Sequence, residues 1–109
     1  MTPSYYLSGP MTGIAEHNFP HFHTVAAALR LLGHTIVNPA EINVASAGDW
    51  HRCLRADIRA LCDCTGIVML AGWEASQGAQ LELHIAHRLG LQVYPSVNAF
   101  LEEHGHDPL

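Results

Sequence analysis

Positive charge is scarce in this sequence: its 109 residues carry five Lys and Arg together against ten Asp and Glu, a net charge of -5 with the nine histidines neutral. No segment gathers those cations into a basic stripe. That excludes a nucleic acid polymer or an acidic membrane surface as the expected partner. Small anions remain admissible, because backbone amides bind them without side-chain charge. The nine histidines will make the charge much less negative below about pH 6.5. Long hydrophobic runs are also missing, none approaching the roughly 18 residues of a membrane span. Cys53, Cys62 and Cys64 are an odd number in a chain with no signal-peptide pattern, which predicts a reduced, cytoplasmic setting. The "CDC" spacing lacks the two-residue gap of a redox pair or zinc knuckle, and no metal is expected. G-x-G-x-x-G and G-x-x-x-x-G-K-[ST] are both absent, so dinucleotide redox chemistry and a P-loop are not expected. No Ser-His-Asp order presents itself, and no cofactor is predicted.

What is present is apolar and short. At 49% hydrophobic and 14% charged residues, the chain is composed for one domain over 1–109, with a tail that frays from about 103. Four apolar runs read as strands: Tyr5 to Ser8, Thr35 to Asn38, Ile67 to Ala71, and Gln92 to Tyr94. They are continuous rather than alternating, as strands covered on both faces are. Helical periodicity fills the gaps. The first helix begins near "NFPHF", capped by Asn18 or a neighbour with Pro20 in the first turn, and Phe22, Val25, Ala26, Leu29 and Leu32 face inward before Gly33 stops it. The second runs from about Asp49 to Leu61 after a loop "NPAEINVASAG"; the third is capped by Ser76 and ended by Gly90. A short helix opens the tail "SVNAFLEEHGHDPL". Helical crossovers between short buried strands predict an α/β three-layer sandwich, with a mostly parallel sheet of four or five strands joined by right-handed connections. Ligands bind such sheets beyond the carboxyl ends of the strands, here the loops "SGPMTG", "NPAE" and "AGWEASQG".

Two acidic residues break the pattern. On the third helix Ala79, Ile85, Ala86 and Leu89 share a face, and Glu82 sits in its middle. On the second, Asp57 falls within the apolar arc of Trp50, Cys53, Leu54 and Leu61. A buried carboxylate is costly unless hydrogen-bonded or neutralised. Each can be a structural residue reaching solvent or backbone donors. Two in one cleft also suit glycosidic-bond chemistry, one attacking a sugar carbon while the other handles a proton. Ser76, Gly78 and Ala79 at a helix start offer free N–H groups and a hydroxyl to an anion, although Gly78 can instead relieve crowding. Gly9 lets backbone approach a ligand closely. Trp50 and Trp73 are core or a wall for a nucleobase. His17, His21 and His23 gather near the first helix, and His84 and His87 lie on the polar side of the third; surface or capping roles are expected for them.

Taken together, "YYLSGPMTG", "NFPHF", "VNPAE" and "DWHRCLRADIRALCDCTGIVMLAGWEASQGAQLELHIAHRLG" resemble the DUF4406 family, small members of the nucleoside 2-deoxyribosyltransferase-like superfamily, over roughly Tyr5 to Tyr94. The resemblance implies a flavodoxin-like (Rossmann-like) sheet and cleavage of the N-glycosidic bond of deoxynucleosides or their monophosphates. It implies that Glu82, ending "GAQLE", is the nucleophile and that Asp57, ahead of Cys62 and Asp63, is its partner. Ser8, Gly9 and Pro10 correspond to the substrate loop, with Asn18 beside it. Transferases acting on free nucleosides place an aspartate where this chain has Ser76; a serine resembles the monophosphate N-glycosidase branch, where no carboxylate repels the phosphate. The same resemblance implies a homodimer or larger assembly, with Ser96 or Asn98 completing a neighbouring site. The alternative is a non-catalytic nucleotide-binding or structural oligomeric protein.

Overall fold

The computed structural model describes residues 2–42 and 49–109. Strands and helices alternate as β1 (Ser4–Ser8), α1 (Phe19–Leu31), β2 (Thr35–Val37), α2 (Pro39–Ile42), α3 (Trp50–Cys62), β3 (Gly66–Met69), α4 (Gln77–Arg88), β4 (Gln92–Tyr94) and α5 (Val97–Glu103). The strands form one sheet in the order β2-β1-β3-β4, and every pairing is parallel. This is the mixed α/β architecture expected, with four strands. β1 is central: Tyr6 aligns with Val37 of β2 on one side and Ile67 of β3 on the other.

The pleat of β1 divides the interior. Tyr5 and Leu7 pack with Phe22, Val25, Ala26 and Leu29 of α1 and Phe100 and Leu101 of α5. Tyr6 packs on the opposite face with Leu61 of α3 and Ala79 and Ala86 of α4. Because both faces are covered, side chains of either parity along the strand are apolar, which is why the runs read as continuous. Among the described residues no helix is long and apolar enough to cross a membrane.

Several boundaries differ from the sequence reading for local reasons. Asn38 is not in β2: its Oδ1 accepts from Ala40 N at 3.0 Å and starts α2 inside the stretch expected to be an open loop. The rest of that loop, 43–48, lies outside the described residues. β3 ends at Met69, not Ala71, as the chain turns toward a 3-10 turn at Trp73–Ala75. Leu32 and Leu89, expected inward, are 42% and 53% exposed. Each is the last residue before a helix-stopping glycine, where the chain has already left the inward-facing stripe. Asn18 does not cap α1 with its side chain; its own backbone is left-handed (φ 61), and its amide donates instead to Pro10 O at 2.9 Å, tying the β1–α1 loop to itself.

Candidate active site

Alternation along β1 sets the floor of the site. Tyr6 and Ser8 are two residues apart and so present the same face. Across that face runs α4, whose phase is set by its cap: Ser76 has extended backbone and its Oγ accepts from Ala79 N at 3.2 Å. Counting from that cap, Ala79, Glu82 and Ala86 form the buried stripe, and Glu82 is 5% exposed. Two hydroxyls meet it there. Tyr6 Oη donates to Glu82 Oε2 at 2.8 Å, and Ser8 Oγ donates to Oε1 at 2.7 Å.

Hydrogen bonds to a charged group contribute about 1.5–3 kcal/mol each, and these two act to keep Glu82 ionised. Burial outweighs them. Loss of solvation, reinforced by the negative charge of Asp57, raises the Glu82 carboxyl from 4.5 to about 7. The same burial, together with Glu82 and Asp57, drives the Tyr6 phenol well above its ordinary value, so Tyr6 stays protonated and remains a donor. Asp57 reaches this point through its own helix cap. Asp49 Oδ1 accepts from Arg52 N at 3.1 Å and starts α3, and Asp57 then faces inward, 7% exposed.

Glu82 and Asp57 line one cleft beyond the carboxyl end of β1, with a cavity of about 60 Å³. Gly9, Ser76, Gly78 and Ala79 form part of the same wall. A side chain at Gly9 would strike Leu70, its Cβ falling 2.8 Å from that of Leu70, so the end of β1 packs against β3 only as glycine. Gly78 is different: a Cβ there would meet nothing closer than Leu54 Cδ1 at 3.9 Å, an ordinary contact. Crowding therefore does not account for Gly78, which leaves open space on the cleft side of the helix start.

Most other residues singled out in the sequence stand apart from the cleft wall. Ser8 lies beneath it, 1% exposed, against Glu82. Pro10 and Asn18 are bonded to each other behind the loop. Ser96 caps α5, its Oγ accepting from Ala99 N at 3.0 Å, and with Asn98 it lines a second, broader cavity that also holds Trp73 and Glu74. Trp50 is not core: it is 44% exposed at the first turn of α3 and lines the cleft. His84 and His87 are exposed on the far side of α4, as expected, and His17, His21 and His23 are exposed near α1.

Tyr6 was missed by sequence reading, which made it only a sheet residue. The period of a strand would have paired it with Ser8 on one face, but nothing local says that a carboxylate waits there. Met11 and Thr12, also on the wall, belong to a loop whose course has no periodicity to read.

A family model described as Domain of unknown function (DUF4406) matches residues 3–95. No curated protein matches the chain.

Proposed function

The chain belongs to the DUF4406 family, and from the chemistry of its cleft we propose that it cleaves the N-glycosidic bond of a deoxynucleotide or deoxynucleoside, with hydrolysis of a monophosphate favoured over transfer. The observation that carries this reading is Glu82: a buried carboxylate with one buried hydroxyl on each oxygen, sharing a small cleft with a second carboxylate. A surface glutamate needs no such cradle. The strand order β2-β1-β3-β4, with its reversal between β1 and β3, supports a flavodoxin-like sheet, in which that crossing point is the customary ligand crevice.

In this reading Glu82 attacks the anomeric carbon and the base leaves, giving a glycosyl ester that water or a second base resolves. Tyr6 and Ser8 hold the carboxylate in one rotamer, which keeps the attacking oxygen in place. The two carboxyl groups titrate as a pair. A proton passed from Glu82 to Asp57 leaves Glu82 ionised for attack and Asp57 able to protonate the departing base. The start of α4 takes the 5'-phosphate at Ser76, Gly78 and Ala79, the Ser76 hydroxyl donating and the Ala79 N–H exchanging its bond to Ser76 Oγ for one to the phosphate, with no carboxylate to repel it. Ser96 and Asn98, which are remote from this chain's own cleft, belong in the same reading to the site of a neighbouring copy. The chemistry requires no cofactor.

The test is chromatography of free base after incubation with a panel of deoxynucleoside monophosphates and free deoxynucleosides, run in parallel on Glu82→Gln. Base release by the natural protein and its loss in the variant are expected. Turnover that survives Glu82→Gln removes the mechanism. The low exposure of Glu82 and the hydrogen bond already held by each of its oxygens favour a second reading, a non-catalytic nucleotide-binding or structural protein. That reading expects nucleotide-dependent thermal stabilisation, or none, and in either case no released base.

A further inference from the structure

Two helices on the Tyr5 side of the sheet end in the same way. After α1, Gly33 takes φ 95, its N–H bonds Arg30 O at 2.9 Å, and the N–H of His34 reaches back to Leu29 O at 3.2 Å. After α5, Gly105 takes φ 77 and the N–H of His106 reaches back to Leu101 O at 2.8 Å. A left-handed glycine followed by such a back-bond is a Schellman stop. In both stops the residue after the glycine is histidine, and the two histidines meet: His34 Nε2 lies 2.9 Å from His106 Nε2. That is the length of an imidazole–imidazole hydrogen bond.

Such a bond counts protons. A neutral imidazole has one N–H and one bare nitrogen, so the pair needs one Nε2–H facing one bare Nε2. One added proton makes the donor an imidazolium and keeps the bond. A proton on both rings leaves two N–H groups and two like charges face to face at 2.9 Å. The surroundings do not relieve that state. His104, whose ring centroid is 5.0 Å from that of His34, donates Nδ1–H to Phe100 O at 2.8 Å and accepts from Tyr5 at Nε2, so it offers the pair no acceptor. Tyr5 faces His34 from β1, while Tyr94 of β4 packs on His104 and Glu103 acts on Tyr94. Among the described residues no carboxylate is bonded to either ring of the pair. Burial first, then His104 and His106, push the His34 imidazole below its ordinary value. Stability from the neutral ring is thus present above the ordinary histidine range and lost as pH falls.

What the pair holds is the segment after α5. That segment runs on to Leu109, which lines the second cavity with Trp73, Glu74, Ser96 and Asn98 at the carboxyl ends of β3 and β4. We propose that His34 and His106 are a proton-operated latch: with no proton or one added proton they pin residues 104–109 beside that cavity, and with both rings protonated they release the segment and open it. The latch is independent of the glycosidic reading of the Glu82 cleft.

Backbone amide exchange, corrected for the intrinsic pH dependence, tests it across about pH 7.5 to about pH 5, the range in which imidazoles titrate. In the natural protein, protection at the Gly105 and His106 amides, bonded to Glu102 O and Leu101 O, is expected to fall by about tenfold or more as pH drops, while β1 amides keep theirs. In His106→Gln the like-charge contact with His34 cannot form, and protection at the amides of residues 105 and 106 should become flat with pH. Protection that is constant with pH in the natural protein, or a fall that His106→Gln reproduces at the same midpoint, overturns the latch.

Discussion

Tyr5 and Tyr6 are neighbours with identical side chains, and the pleat of β1 sends them into opposite chemistry. Tyr6, fully buried, donates to a carboxylate on α4. Tyr5, 6% exposed, ends at the ring of His104, 3.3 Å away, within a cluster of imidazoles and aromatic rings. One side of the sheet buries an acid that is reluctant to ionise; the other gathers bases that are reluctant to take protons together. What differs is not the tyrosine but what the opposing helix or loop presents to it. A single strand therefore carries two sites of opposite pH response.

The largest effect that separates the sides is chemical. Glu82→Gln should lower base release by roughly a thousandfold or more, as loss of a nucleophile does, whereas His106→Gln should leave it unchanged. Chromatography of released base reads both. If the two variants behave alike, the carboxylate side is not the working one.

Next is the sign of the pH dependence of stability. The Glu82 carboxyl is raised in the folded protein from 4.5 to about 7, so the native state binds a proton that the unfolded chain has lost. That contribution is complete below about pH 4.5, falls as pH rises toward about 7, and amounts to on the order of 3 kcal/mol. The difference in unfolding free energy between the natural protein and Glu82→Gln, measured by urea titration at several pH values, should show this slope. The histidine side slopes the other way, losing stability as pH falls.

A smaller contrast comes from removing one hydroxyl at a time. Tyr6→Phe takes a donor from a buried carboxylate and should cost about 1.5–3 kcal/mol, while Tyr5→Phe loses a longer, partly exposed contact and should cost about 0.5–1 kcal/mol. Equal costs in urea unfolding would mean that the two faces hold their tyrosines alike.

The finest comparison sets one cap against another. Ser76 and Ser96 cap α4 and α5 with the same hydrogen-bond pattern, side-chain oxygen to the N–H three residues on, so Ser76→Ala and Ser96→Ala should each cost about 1 kcal/mol of stability. If Ser76 also holds a phosphate, only Ser76→Ala weakens the thermal stabilisation given by deoxynucleoside monophosphates. A loss shared by both variants would reduce Ser76 to a cap.

Much of the scaffold was legible because its causes are local. Asp49 and Ser76 announce where α3 and α4 begin, and a period of 3.6 counted from those caps carries Asp57 and Glu82 inward. The errors fall where the chain turns off its period, at Leu32, Leu89 and Asn18. Other features were invisible because their causes are distant. Tyr6 and Ser8 reach Glu82 across 76 and 74 residues, and His34 meets His106 across 72. No spacing rule spans such separations.

By itself the sequence determined the alternation of strand and helix, the inward register of two carboxylates and the glycine stops of α1 and α4, since each depends on neighbours within a few residues. Only the tertiary structure decided what those groups face. The parallel order β2-β1-β3-β4 lays α4 over Tyr6 and Ser8 and brings the ends of α1 and α5 together. Burial then does the rest, because desolvation and the charges that remain nearby are properties of a packed interior and not of any residue alone.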